Sequence, residues 1–81
     1  MTMPHTEAVL WTMRKDTDTI RAVMRAVDGR FELQLLSGAS GTLPVFCAMF
    51  RNIPAATAAA TSECELLKVR GWTLVEEIRP Q

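Results

Sequence analysis

The side chains of this chain that could do acid–base, nucleophilic or ligand chemistry are few and scattered. His5 is the single histidine. It has no carboxylate or nucleophile at a useful spacing and reads as a solvated surface residue. Asp16 and Asp18 lie in the polar run Lys15-Asp16-Thr17-Asp18, where aspartate is favoured because its side chain bonds turn backbone. A turn is therefore preferred there over a carboxylate pair for acid–base work. Glu63 and Glu65 are two apart in a helical segment and do not share a face, and Glu76-Glu77 reads as solvated. Cys47 and Cys64 form no disulfide framework and have no metal-ligand spacing; two reduced thiols in small apolar slots are expected. Ser37-Gly38-Ala39-Ser40-Gly41-Thr42 is glycine-rich, yet it lacks the lysine and the following helix of a phosphate-binding loop. Catalysis needs a nucleophile, acid or base poised with partners in a cleft, and the sequence offers no such set. The expectation is a non-enzyme with no cofactor and no metal.

What chemistry remains depends on which elements carry the arginines and tryptophans. The strongest local signal is Asp28-Gly29 between two β-prone runs, the pattern of a two-residue hairpin turn with positive φ at both positions. That turn fixes a register. Ala26 faces Phe31, Met24 faces Leu33 and Ala22 faces Leu35 on one face. Arg25 faces Glu32 and Val23 faces Gln34 on the other. Upstream, Ala8–Arg14 alternates as a strand, with Val9, Trp11 and Met13 on one side and Leu10, Thr12 and Arg14 on the other. A four-residue loop over Lys15–Asp18 then sets Met13 against Ile20, Trp11 against Ala22 and Val9 against Met24. Three strands thereby share one inner apolar face: Val9, Trp11, Met13, Ile20, Ala22, Met24, Phe31, Leu33 and Leu35.

The second segment has a rival reading. Ile20, Val23, Met24 and Val27 are also helically spaced, with Asp18 as a cap and Gly29 as a stop. The chain would then be a ferredoxin-like βαββαβ plait. The strand is preferred because such a helix would be short, and because the hairpin also explains the Arg25–Glu32 match and the register of the first strand. Downstream, Gly38–Gly41 is a flexible connection. Leu43–Phe50 is a fourth strand, apolar on both faces, with Pro44 near its start as suits an edge strand. Asn52 caps a helix with Pro54 in its first turn, running to about Arg70 and closed by Gly71. Ile53, Ala56, Ala60, Cys64 and Leu67 form its stripe, beside Ala59 and Leu66. Trp11 and Trp72 could stack on a base or ligand, but core and cap roles are preferred. Thr73–Gln81 reads as a short strand, an edge cover or a tail.

The bulk properties fit this picture. Eighty-one residues with 48% hydrophobic and 22% charged side chains make one globular domain over 1–81, with its core at about 7–72 and a loose start at Met1–Thr6. Nine basic and nine acidic side chains give no net charge, which argues against a dedicated duplex-DNA binder. No basic region precedes an apolar run of about 7–15 residues at the start, as a secretory signal requires. Leu43–Phe50 is too short to span a bilayer. A cytoplasmic protein without membrane contact is expected.

Several residues together resemble a group of short, uncharacterised bacterial proteins: Leu10-Trp11, Gly29 followed by Glu32-Leu33, a glycine turn near Gly38, an apolar strand ending in Phe50, an Ala-rich helix, and Gly71-Trp72 closing it. The resemblance covers roughly Glu7–Trp72. It implies four strands followed by a helix and no particular activity. This chain departs from the group's pattern in the Ala and Thr of its helix and in its longer loop at Gly38–Gly41.

The fold expected is thus α+β, a four-stranded antiparallel meander packed on one C-terminal helix (ββββα). The surface singled out is the outer sheet face, with Leu10, Arg14, Arg21, Val23, Arg25 and Leu36. Arginine among exposed aliphatics suits a protein partner, so the expected function is a small interaction module that self-associates as a homodimer through this face or a sheet edge. Weak single-stranded nucleic-acid binding through Arg14, Arg21 and Arg25 is the alternative, although the face lacks the aromatic platforms that mode uses. A small-molecule pocket between helix and sheet is a third possibility, raised only by the small helix side chains.

Overall fold

The computed structural model describes residues 7–77. The expected loose start at 1–6, with His5, and the last residues 78–81 lie outside them. The strands are β1 (Ala8–Lys15), β2 (Asp18–Val27), β3 (Arg30–Ser37) and β4 (Leu43–Phe50); helix α1 (Ile53–Val69) and strand β5 (Thr73–Glu77) follow. The sheet is antiparallel with order β4-β3-β2-β1-β5. The α+β class and the meander hold, and one strand is added: β5 pairs with β1 and closes the side opposite β4. Residues 19–27 are strand, so the ferredoxin-like alternative is excluded.

The Asp28-Gly29 turn forms as its chemistry requires. Asp28 has φ 49° and Gly29 φ 77°, and every cross-strand pair expected from it is present. The first turn differs. It is two residues, Asp16-Thr17, rather than four, with Asp16 at φ 55° and Lys15 paired with Asp18. Met13 still faces Ile20 and Trp11 faces Ala22, but a bulge between Val9 and Trp11 shifts the start of β1. Val9 therefore pairs with Val23, and Ala8 with Met24. Alternation alone cannot foresee an inserted residue, which moves every side chain beyond it to a new partner.

Both ends of α1 are capped. Asn52 is extended and its Oδ1 accepts from the Ala55 N–H at 2.8 Å, with Pro54 in the first turn. At the other end Gly71 takes φ 96°. The Gly71 N–H donates to Lys68 O and the Trp72 N–H to Leu67 O, at 3.1 and 3.0 Å. This is the paired bonding of a Schellman cap. Lys15 Nζ reaches from β1 to donate to Arg70 O at 2.9 Å, which ties the helix end to the far side of the sheet.

The helix connects the two edge strands. Seventeen residues rise about 25 Å, enough to cross four strand spacings of roughly 19 Å. Its buried stripe is Ala56, Ala60, Cys64 and Leu67. Ile53 and Leu66, expected on or beside that stripe, are half-exposed. The sheet side of the core is Trp11, Met13, Ala22, Leu33 and Leu35, with Leu10, Ile20, Phe50, Ala59, Trp72 and Leu74 around it. The alanines bring the helix close enough for the Trp11 indole N–H to donate to the Ala60 carbonyl at 3.0 Å.

Trp11→Phe removes that bond and part of the ring, and should cost about 1–3 kcal/mol. Ala60→Leu should cost at least as much, because the added methylenes have no space without lifting the helix. Urea unfolding of each variant checks both.

Candidate functional site

The outer sheet face is not the free surface that its sequence pattern implies. Val23 is 2% exposed. It sits on β2, the middle of five strands, paired with Val9 on one side and Gln34 on the other. Leu10 does not belong to this face: it is half-buried and packs against the helix-side core, while Val9 takes the place opposite Val23. Leu36 is half-buried between Arg21 and Pro44.

The arginines are partly engaged already. Arg21 Nε donates to Gly41 O at 3.1 Å, which ties the loop after β3 to β2. Arg25 Nε meets Glu32 Oε1 at 2.5 Å, the ion pair that the hairpin register foretells. Arg14 is exposed beside the first turn, paired with Thr19 and Thr73. The three do not converge on one pocket or groove. Trp11, Phe50 and Trp72 pack into or around the helix-side core, so none is available on the outer face as a stacking platform.

The two thiols part ways. Cys64 is buried in the core, as expected, and burial pushes its pKa up. Cys47 is exposed rather than slotted among apolar groups. β4 places it beside Glu32, and its Sγ–H donates to Glu32 Oε2 at 2.9 Å. That thiol and then the Arg25 guanidinium hold the Glu32 carboxyl below its usual range. The same hydrogen bond, with desolvation behind it, raises the Cys47 thiol. Cys47 is thus kept as a protonated donor rather than a thiolate nucleophile. No sequence signal links Cys47 to Glu32, because only the β3–β4 register brings them together.

β4 leaves a long open edge. It is an edge strand of eight residues, Leu-Pro-Val-Phe-Cys-Ala-Met-Phe, without one charge. Val45 is 61% exposed, Met49 44% and Phe46 38%. The other edge, β5, carries two charges, Glu76 and Glu77, among its described residues Thr73–Glu77. Short, charged edges resist strand addition, whereas long apolar ones invite it. The sequence signal for this was a Pro-bearing strand apolar on both faces.

Among the described residues there is no cluster of potential metal ligands and no pocket between helix and sheet. No helix among them is long and apolar enough to cross a membrane. Comparisons with protein-family models, curated proteins and solved structures give no match.

Two expectations follow from this geometry. Val23→Glu should destabilise the fold by roughly 3 kcal/mol, because it buries a carboxylate where the neighbouring Arg21 and Arg25 are already bonded to Gly41 and Glu32; chemical denaturation reads the loss, and native-like stability would place Val23 at the surface after all. Cys47→Ala should raise the titration midpoint of Glu32 toward the ordinary carboxylate range, read by carboxyl NMR. The sign follows from linkage: a depressed carboxylate stabilises the fold above its unfolded-state pKa, and that contribution is lost as pH falls through the folded-state value. Removing the thiol should shrink it.

Proposed function

We propose that this chain is a small non-enzymatic protein–protein interaction module that self-associates through the open edge of β4. One observation carries the reading: β4 is an eight-residue edge strand with exposed Val45, Phe46 and Met49 and no charge, while the opposite edge carries Glu76 and Glu77. The outer face, the other route to association, is a weaker candidate because Val23 is buried and Arg21 and Arg25 are engaged within the chain. Added main-chain hydrogen bonds would supply affinity and the exposed apolar side chains selectivity, as in strand-addition recognition generally. The two free cysteines suit a reducing, cytoplasmic setting.

Sedimentation equilibrium tests this. The expected result is a dimer whose association changes little between about 0.05 and 0.5 M salt, since apolar and main-chain contacts are weakly screened. Met49→Lys should weaken the dimer about tenfold or more, roughly 1.4 kcal/mol, with an unchanged circular dichroism spectrum. A monomer that binds a short single-stranded oligonucleotide only at low salt would overturn the reading.

A further inference from the structure

We infer, resting on β4 as the self-associating edge, that its occupant is the β4 of a second copy, paired antiparallel about Ala48 on a two-fold axis normal to the sheet.

The phase of the hydrogen-bond ladders decides which groups of β4 face outward. Asp28-Gly29 is a two-residue turn, so Val27 and Arg30 exchange both backbone bonds. Alternation then turns the N–H and C=O of Glu32, Gln34 and Leu36 toward β2, and those of Phe31, Leu33 and Leu35 toward β4. The β4 partners of that second set are Phe50, Ala48 and Phe46. They face back into the sheet, which leaves Cys47 and Met49 with backbone groups pointing out. The first hairpin gives the same phase independently. Lys15 and Asp18 flank a two-residue turn, which turns Thr19 away from β1, and the Thr19 N–H donates to Gly38 O at 3.0 Å.

Pro44 closes this edge at one end. It pairs with Leu36 across a bulge that leaves Val45 over. Leu36 faces β2, so the nitrogen of Pro44 is turned outward, where its missing N–H breaks no bond within the sheet. The regular part of the open edge is therefore Phe46–Phe50, with donors on Cys47 and Met49.

A second copy presents the same alternation, and paired bonds form only between residues that both face outward. An axis at Ala48 sets Cys47 opposite Met49 of the partner subunit, and Met49 opposite the partner subunit's Cys47. All outward groups of the regular edge are then satisfied without the bulged residue. An axis at Cys47 pairs that residue with itself and needs Val45 for the rest. An axis at Phe46 sets Met49 against Leu43, whose groups face β3. The side chains agree with the first choice. Ala48 meets its own small copy on the helix side, and Phe46 meets Phe50 of the partner subunit in cross-strand aromatic pairs. With no charge on β4, symmetry sets no like charges opposite each other. A two-fold axis normal to the sheet keeps both helices on the same face of one continuous sheet.

The test is a cross-link. In the Cys47→Ser, Ala48→Cys double variant the two new thiols would face each other as a pair without ladder hydrogen bonds, with Cα atoms about 4.5 Å apart, within disulfide range. Oxidised glutathione, itself reduced to two thiols, should convert most of the variant to covalent dimer on a non-reducing gel. The natural chain should stay uncross-linked, because its Cys47 residues would be offset by two positions and Cys64 is buried. Cross-linking of the natural chain alone would move the axis to Cys47 and overturn the register. A dimer by sedimentation with neither protein cross-linked would also overturn the register, while leaving self-association standing. A monomer would overturn both. If the double variant does not fold, amide exchange on the natural chain decides. The Cys47 and Met49 N–H groups should gain about tenfold protection as the protein is concentrated through dimerisation, and Phe46, Ala48 and Phe50 little; an unprotected Met49 overturns the pairing about Ala48.

Discussion

The contact on which the rest of the molecule depends is the approach of α1 to the sheet at Ala60. A helix with bulky side chains on this stripe would stand further off and bury more carbon per residue. Here Ala56 and Ala60 let the helix sink until its backbone carbonyl receives the Trp11 indole N–H at 3.0 Å. The ring gains a partner for its polar edge while its body fills the space that the alanines leave. Cys64 and Leu67 continue the contact along the helix, and Leu33 and Leu35 meet it from β3. Close seating also explains why the small helix side chains leave no pocket beneath them.

That seating sets the topology of the sheet. Because α1 leaves from β4 and returns the chain to β1, it bridges the two edges, and β5 is laid down on the far side. The Schellman cap and Lys15 fix its exit direction. Placing the helix over one face leaves the other to a polar skin of Arg25, Glu32, Cys47 and Arg21 over buried Val23. The two edges then differ in charge, β4 having none and β5 carrying Glu76 and Glu77. β4 presents open backbone groups on an uncharged strand, the kind of edge that invites strand addition.

Much of this fold is legible in particular residues. Asp28-Gly29 fixes the β2–β3 register, including the Arg25–Glu32 pair, because positive φ at both turn positions admits few residues. Asn52 marks the start of the helix through its side-chain oxygen, and Pro54 and Gly71 mark its ends through backbone geometry. Pro44 points to an edge strand, and the structure gives the reason: its nitrogen faces the open side. Three features escape such reading. The bulge at β1 exchanges Val9 for Leu10, because an inserted residue leaves no trace in a short alternating pattern. The half-exposure of Ile53 follows from where the helix crosses, which periodicity does not state. Leu74 and Val75 are compatible with strand or tail until β1 is available as a partner.

Neighbours along the chain specify the local elements, one hairpin register and the apolar face on which the core is built, because turns, caps and alternation act over a few residues. That Val23 is covered, that Cys47 meets Glu32, that Arg21 holds Gly41, and that β4 and β5 are left at the edges come from the assembled sheet and helix. These depend on which strand lies beside which. Residues fifteen or more positions apart are brought together by sheet order and helix seating, and no local spacing encodes either.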